Sequence, residues 1–389
     1  MRLRQLRHLF IRPPEATPAA PLSFPDNESR LRSLARSLDQ IYRETKAKVG
    51  AADLAHIQRV ARCSRGCEIA GRGLLWFGPG PVSFLGGVSL LWIHKQLQTA
   101  EIGHTTLHGA FNRIEGADEY RSASFAWRGV PIDESSWIAA HNGRHHGLTN
   151  VVGEDPDMEF GRARLTDRTP HREQHRSQLV SVLVSFPIFT LAMAAHSTGI
   201  TALYFAENAS ASEDTSSAAR REAWTRLLRK VGPHYLRELV LFPLLAGPRF
   251  LRVLAGNILS EIARDLYTAS TIYCGHVGAD VESFPAGTRP GCRGERYEMQ
   301  IAASNDFRVP WVVSVLCGGL DRQVEHHLFP SLPTNRLRDI APEVRRVAEE
   351  HGVEYRDRTW GETLRSAFNH VRHLSQPDED AAAVGTQPL

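Results

Sequence analysis

At 389 residues the chain is long enough for one large domain or two ordinary ones. Its net charge of +3 is close to neutral, so it lacks the electrostatic footprint of a nucleic-acid-binding protein and no such partner is expected. Five cysteines, odd in number and scattered, exclude a disulfide framework, and Cys63 with Cys67 lacks the second pair that a zinc or iron–sulfur site would need.

Residues 1–50 read as a polar, partly disordered N-terminal segment, followed by a main domain over 51–375. Within the first seventy residues, Leu31, Leu34, Leu38 and Ile41, then Leu54, Ile57 and Val60, recur at helical spacing. Residues 73–93 carry no charge and reach the length of about 20 needed to cross a hydrocarbon core. Gly78-Pro-Gly-Pro81 lies inside that run and predicts the turn of a helical hairpin. Residues 94–178 are polar, 179–205 form a second uncharged run, and 206–234 are predicted to be a charged loop. A third apolar region, 240–275, is interrupted by Arg249, Arg252, Glu261, Arg264 and Asp265. Such charges are costly against lipid, so they are expected to face the interior, an interface or bound head groups. The tail, 376–389, is acidic, rich in small residues and predicted disordered. The fold class that results is all-α, a multi-pass transmembrane helical domain with a polar helical cap.

Three histidine clusters punctuate this pattern. His104-Thr-Thr-Leu-His108 places two imidazoles on one helical face. His141-Asn-Gly-Arg-His145-His146 is an HxxHH pattern, expected by chance far less than once in such a chain. Gln323-Val-Glu-His326-His327 has the same shape with Gln in the leading position, where an amide can ligate directly or hold a ligand from behind. His276 closes the third apolar region. No apolar run separates the first two clusters, so they share a membrane face. An even number of crossings must then lie between His146 and His276. One crossing in 179–205 and one in 240–275 would satisfy this. Two hairpins would too, with Arg220, Arg221, Arg226, Arg229 and Lys230 marking a cytoplasmic loop. Eight imidazoles are too many for one tetrahedral zinc and suit two metals, and iron has the redox range for O2 that zinc lacks.

These motifs resemble the three histidine boxes of membrane fatty acid desaturases. His104–His108, His141 to Asn150 with Asp155-Pro-Asp157 after it, and Gln323 to His327 with Leu-Phe-Pro330 after it agree in order and flanking residues. The Gln-led third box is similar to that of the acyl-lipid and front-end branch, as is the stretch from Gln300 through Ser304 and Asn305. The resemblance implies a cytosolic cap holding two irons, ligated by His104, His108, His141, His145, His146, His276, His326 and His327, with Gln323 a further candidate. It implies O2-dependent insertion of a cis double bond into a fatty acyl lipid. It also implies residence among membrane lipids with the site on the cytoplasmic face, and the excess of Arg over Lys, which leaves only Lys46, Lys48, Lys95 and Lys230, favours a bacterial source and hence a bacterial inner membrane. The chain lacks a haem-domain His-Pro-Gly-Gly motif, a Gly-x-Gly-x-x-Gly fingerprint and an iron–sulfur cysteine set. Electrons are therefore expected from a ferredoxin or a small cytochrome with its reductase. Three competitors share parts of this pattern. A di-iron hydroxylase would use the same core, and a zinc hydrolase would need an HExxH base that neither of the first two boxes has. A non-catalytic metal- or lipid-binding membrane protein is the third.

Overall fold

The computed structural model describes residues 21–159, 163–205 and 216–377. Helices dominate, as the apolar periodicity requires, and the one sheet among the described residues pairs two three-residue strands, β1 (Asp306–Arg308) and β2 (Asp357–Thr359), in parallel. Two long hairpins form the lower part of the molecule. In the first, α2 (Ala51–Phe77) turns at Gly78-Pro79 into α3 (Gly80–Leu97). Both arms carry a glycine where they meet. A Cβ on Gly87 would lie 2.8 Å from the Leu75 side chain, and one on Gly71 3.0 Å from Leu91, so only glycine permits this approach.

The second hairpin departs from expectation. The predicted loop 206–234 is helical from α9 (Ser217–Tyr235), with Ser216 accepting from Ala219 N as its cap. The helix continues through wider π turns at Leu236–Leu241 into α10 (Phe242–Leu245), then turns back as α11 (Phe250–His276). Its charges conceal an amphipathic pattern: Ala223 and Leu227 are buried while the arginines project outward. The two hairpin tips are tied together by arginine. Arg249 donates to Gly78 O at 2.6 Å, and Arg252 to Leu75 O at 3.1 Å, Gly80 O at 3.0 Å and Ser83 Oγ at 2.8 Å.

The other charges of the third apolar region turn inward. Lys95 Nζ lies 2.8 Å from Glu261 and 3.5 Å from Glu238, Arg264 pairs with Glu261 and Asp265, and His234 Nε2 meets Glu261 at 2.9 Å. The uncharged run 179–205 is not one rod. It is broken into α6 (Gln178–Ser185), a 3-10 turn over Phe186–Ile188, α7 (Phe189–Ser197) and α8 (Ile200–Phe205). Pro187 and the left-handed Gly199 (φ 84°) account for the breaks. Among the described residues a single helical run, Glu173–Ser197, is both long and apolar enough to cross a membrane.

Above the hairpins sits the cap. Helix α1 (Asn27–Ala47), capped by Asp26, buries Leu34, Leu38 and Ile41 against Tyr297 and Ile301 of α12 (Arg293–Ala302) and Leu337 and Val344 of α15 (Thr334–Glu350). Part of the polar segment 1–50 is thus core, and the boundary at 50 falls between two packed helices; residues 1–20 lie outside the described residues, as does the tail from 378. The remaining cap elements are α13 (Trp311–Cys317), α14 (Gln323–Leu328) and α16 (Trp360–His373).

Candidate metal centre

Box one lies where the first hairpin runs up into the cap. Helix α3 passes into π turns over Gln98–His104 and then α4 (Thr105–Leu107). Box two repeats the device: α5 (Glu134–Trp137), capped by Asp133, opens into π turns over Ile138–His145. Such i→i+5 turns occur often at functional sites, because they re-aim side chains along an otherwise regular helix. Gly103 belongs to the same design, since a Cβ there would fall 1.9 Å from Trp127 Nε1. Its absence lets Trp127 donate to Gln98 O at 2.8 Å and wall the site.

The three boxes and His276 converge. Ligand atoms of His104, His108, His141 and His326 lie within 4.8 Å of one another, and so do those of His145, His276 and His327. His146 stands between the groups, its ring centre 4.7 Å from those of His108 and His326 and 4.3 Å from that of His327. Several nitrogens face each other closely: His104 Nε2 is 3.2 Å from His108 Nε2 and 3.4 Å from His141 Nε2, and His327 Nε2 is 3.0 Å from His276 Nε2. Ligands about 2.1 Å from a common ion stand about 3.0 Å apart at right angles and about 3.4 Å apart at tetrahedral angles. His145 Nε2, His326 Nε2 and both nitrogens of His146 are buried without a hydrogen-bond partner. Convergent imidazole lone pairs at this spacing fit metal ions, and two groups fit two.

A second layer orients the first. Asp155 is fully buried and holds His145 Nδ1 at 3.0 Å through both oxygens, leaving Nε2 for the centre. Gln300 Oε1 accepts from His327 Nδ1 at 3.0 Å and from Thr149 Oγ1 at 3.0 Å. Gln323 Nε2 reaches His276 Nε2 at 2.6 Å, so its amide lies at the second group. Burial, reinforced by neighbouring imidazoles, holds His104, His108, His146, His326 and His327 well below the usual histidine range, and His276 down to about 3. Neutral imidazole is the form that ligates. Burial alone would lower His145 too, but Asp155 and Asp157 outweigh it and lift that group to about 9.

A cavity of about 100 Å³ lies beside His104, His141, His145 and His276. Its other walls are mostly apolar, with Trp137, Ile132, Phe189, Met193 and Ile272 among them. Trp137 stacks on His141 with ring centres 4.4 Å apart. The site therefore presents a small, mostly apolar space to a histidine-rich centre.

All eight predicted histidines and Gln323 come together here, and each is buried or partly buried. His171 and His175 do not join them: His171 Nε2 meets Ser375 O at 3.0 Å, and buried His175 accepts from Arg172 N. Sequence reasoning missed His196, whose Nε2 is 3.5 Å from Asp157, and the tryptophan wall. A histidine ending an uncharged helix was the available signal for the first. The tryptophans had none beyond their place four and fourteen residues before His141.

The family model for fatty acid desaturases matches residues 76–359. The chain is 26% identical over 360 residues to the NADPH-dependent stearoyl-CoA 9-desaturase of Mycobacterium tuberculosis, covering 90% of this chain and 82% of that protein. It is 28% identical over 244 residues to the acyl-lipid 8-desaturase of Rebecca salina, covering 60% of this chain and 51% of that protein. Against Delta(8)-fatty-acid desaturase 1 of Arabidopsis thaliana the identity is 26% over 322 residues, covering 75% and 64%.

Proposed function

The chain belongs to the fatty acid desaturase family, and on that premise we propose that it introduces a cis double bond into a fatty acyl chain, using O2 at a histidine-ligated di-iron centre. Two adjacent groups of buried and partly buried imidazoles beside a mostly apolar cavity support this most directly. His104, His108, His141 and His326 would hold one iron, and His145, His276 and His327 the other. His146 lies within reach of both, and the Gln323 amide is a further ligand or water holder at the second. Bound iron supplies the redox range for O2 reduction.

The chain's own residues do the rest. Asp155 and Gln300 would hold the Nδ1–H of His145 and His327, so that each can offer Nε2 to a metal, His145 by giving up the proton that Asp155 and Asp157 otherwise stabilise. The apolar walls hold one methylene pair against the centre and keep water away from it, which is the larger part of selective attack on an unactivated C–H bond. The balanced reaction takes a –CH2–CH2– unit, O2, two electrons and two protons to –CH=CH– and two waters. The electrons would come from a ferredoxin or small cytochrome with its reductase. The acyl carrier would be CoA, a carrier protein or a glycerolipid.

We place the protein in a membrane, multi-pass, in the bacterial inner membrane with the cap on the cytoplasmic side. Exposed apolar side chains over the lower hairpins support this, among them Phe77, Val82, Leu85, Leu244, Leu245 and Leu251, each more than 60% exposed. The desaturase unit would extend over 51–375. Acyl-chain profiling of an expressing host tests the function. A new monounsaturated chain that His145→Ala and His326→Ala abolish is expected; a hydroxylated chain would keep the site and change the reaction.

A further inference from the structure

We propose that the groove on the outer face of α9 binds the phosphodiester headgroup of an anionic membrane phospholipid, whose acyl tails lie along the exposed apolar side chains beside it. The inference rests on the membrane placement proposed above and is independent of the reaction.

Helix α9 carries Arg220, Arg221, Arg226, Arg229 and Lys230 against a single acid, Glu222. Arg226 pairs with Glu222, Arg229 with Asp133 at 2.5 Å and Lys230 with Glu134 at 2.5 Å. Arg220 and Arg221 take part in no ion pair among the described residues, so this face keeps positive charge that no carboxylate answers. A groove of about 540 Å³ lies against it, lined among others by Arg221, Glu222, Thr225, Arg226 and Arg229, with Ser135 of α5 on its far side. At about 100° per residue, Leu228 falls about 20° from Arg221 around the helix and Trp224 about 60° from it. Both are exposed, so apolar side chains border the arginines directly. Trp224 donates to the Tyr204 hydroxyl at 3.1 Å, and the Arg220 guanidinium lies 5.6 Å from the centre of that tyrosine ring. Tryptophan and tyrosine gather in this way where water meets hydrocarbon, because each ring has one polar end.

The rest of the helical run sets the level of that boundary. Beyond α9 it continues to the hairpin tip with Leu236, Val240, Leu241, Leu244 and Leu245 exposed, and Leu251 follows on α11. Its one basic residue there, Arg237, pairs with Glu238 at 3.3 Å. Basic side chains thus occupy the upper part of the run and exposed apolar ones the lower part, the polarity order of a bilayer leaflet from headgroup to hydrocarbon. A phospholipid meets both demands at once. Its phosphate answers the arginines of the groove, and its tails cover Leu228 and Trp224, which a soluble anion would leave in water. A headgroup of net negative charge fits better than a zwitterionic one, which brings its own cation to two unanswered guanidiniums. The site also bears on the histidine centre. Arg229 and Lys230 clamp α9 onto Asp133 and Glu134 at the start of α5, and α5 runs directly into the π turns that carry His141 and His145. A lipid held on α9 therefore steadies the element that delivers box two.

The test titrates the full-length, iron-loaded protein in detergent with dioleoyl-phosphatidylglycerol and, separately, with dioleoyl-phosphatidylcholine, and counts bound lipid by native mass spectrometry. The tightest phosphatidylglycerol should bind the wild type about fivefold more tightly than phosphatidylcholine, and Arg221→Glu should weaken it about tenfold while leaving phosphatidylcholine unchanged. Brominated phosphatidylglycerol should quench a share of the tryptophan emission that Trp224→Phe removes, which places the lipid on this face. Because Arg221 has no ion-pair partner, iron content and the melting temperature without added lipid should stay at the wild-type value in Arg221→Glu, which separates lost binding from lost fold. Equal affinity for the two lipids, or wild-type phosphatidylglycerol affinity in Arg221→Glu, overturns the proposal. So does displacement of the lipid by an equal concentration of inorganic phosphate, which would make the groove a site for free anions. Failure of the membrane placement looks different: the purified chain would stay dispersed without detergent and bind neither lipid, and the proposal would fall with it.

Discussion

Asp155 shows how much of the site depends on a residue that cannot itself reach the histidine centre. Its two oxygens hold His145 Nδ1, and they also accept from Asn150 N at 2.7 Å and Asp157 N at 2.9 Å, so one carboxylate fixes both the ligand and the loop behind it. Asp155→Asn should lower iron affinity about 10- to 100-fold, read by chelator competition, because one ring N–H loses its charged acceptor. Gln300→Leu should act the same way at His327, and Gln323→Ala should hurt less than either histidine change. Iron loss with Gln323→Ala as large as with His326→Ala would make Gln323 a ligand in its own right. His175 differs from all of these. It is buried and accepts from Arg172 N at 3.0 Å, so His175→Ala should lower the unfolding temperature and leave iron content alone. The box histidines were legible because three imidazoles crowded into six residues are rare unless a metal holds them. Asp155 and Gln300 were legible only as flanking letters, since nothing in a sequence says which carboxylate will lie 3 Å from which ring nitrogen.

At the scale of elements, the hairpins deliver the histidines and their buried charges set the register. Lys95 lies between Glu261 and Glu238 on the second hairpin, with Ser260 Oγ 2.9 Å from its Nζ. Lys95→Ala should destabilise the protein by about 1.5–3 kcal/mol, because it removes the cation shared by two buried carboxylates while Glu261 keeps Arg264 and His234 and Glu238 keeps Arg72. A melting temperature in detergent within a degree or two of wild type would contradict that. Gly103→Ala should disturb the site without touching a ligand, since its Cβ would overlap Trp127 and push box one off its π turns. Full iron content and activity in that variant would mean the wall yields easily. The Gly-Pro-Gly-Pro turn and the helical spacing of α1 and α2 could be read directly. Helix α9 could not, because its charges resemble a loop until their spacing is set against Ala223 and Leu227. The run 179–205 misleads in the opposite direction: uniform apolarity says nothing of a break, and Pro187 with Gly199 decides it.

For the whole molecule, two demands meet at one level. The lower hairpins expose apolar side chains, and the cap buries an unusual number of polar ones, His326, His327, Asp306 and Glu325 among them. The centre sits at the junction, where on the proposed function an acyl chain would enter from lipid and electrons from water. On the proposed function this junction holds two irons that oxidise an acyl chain. Metal content per chain of the detergent-purified protein, measured with acyl profiling of the host, tests it most directly. Close to two irons per chain and a new cis double bond are expected; about one zinc with no oxidised lipid would contradict the claim.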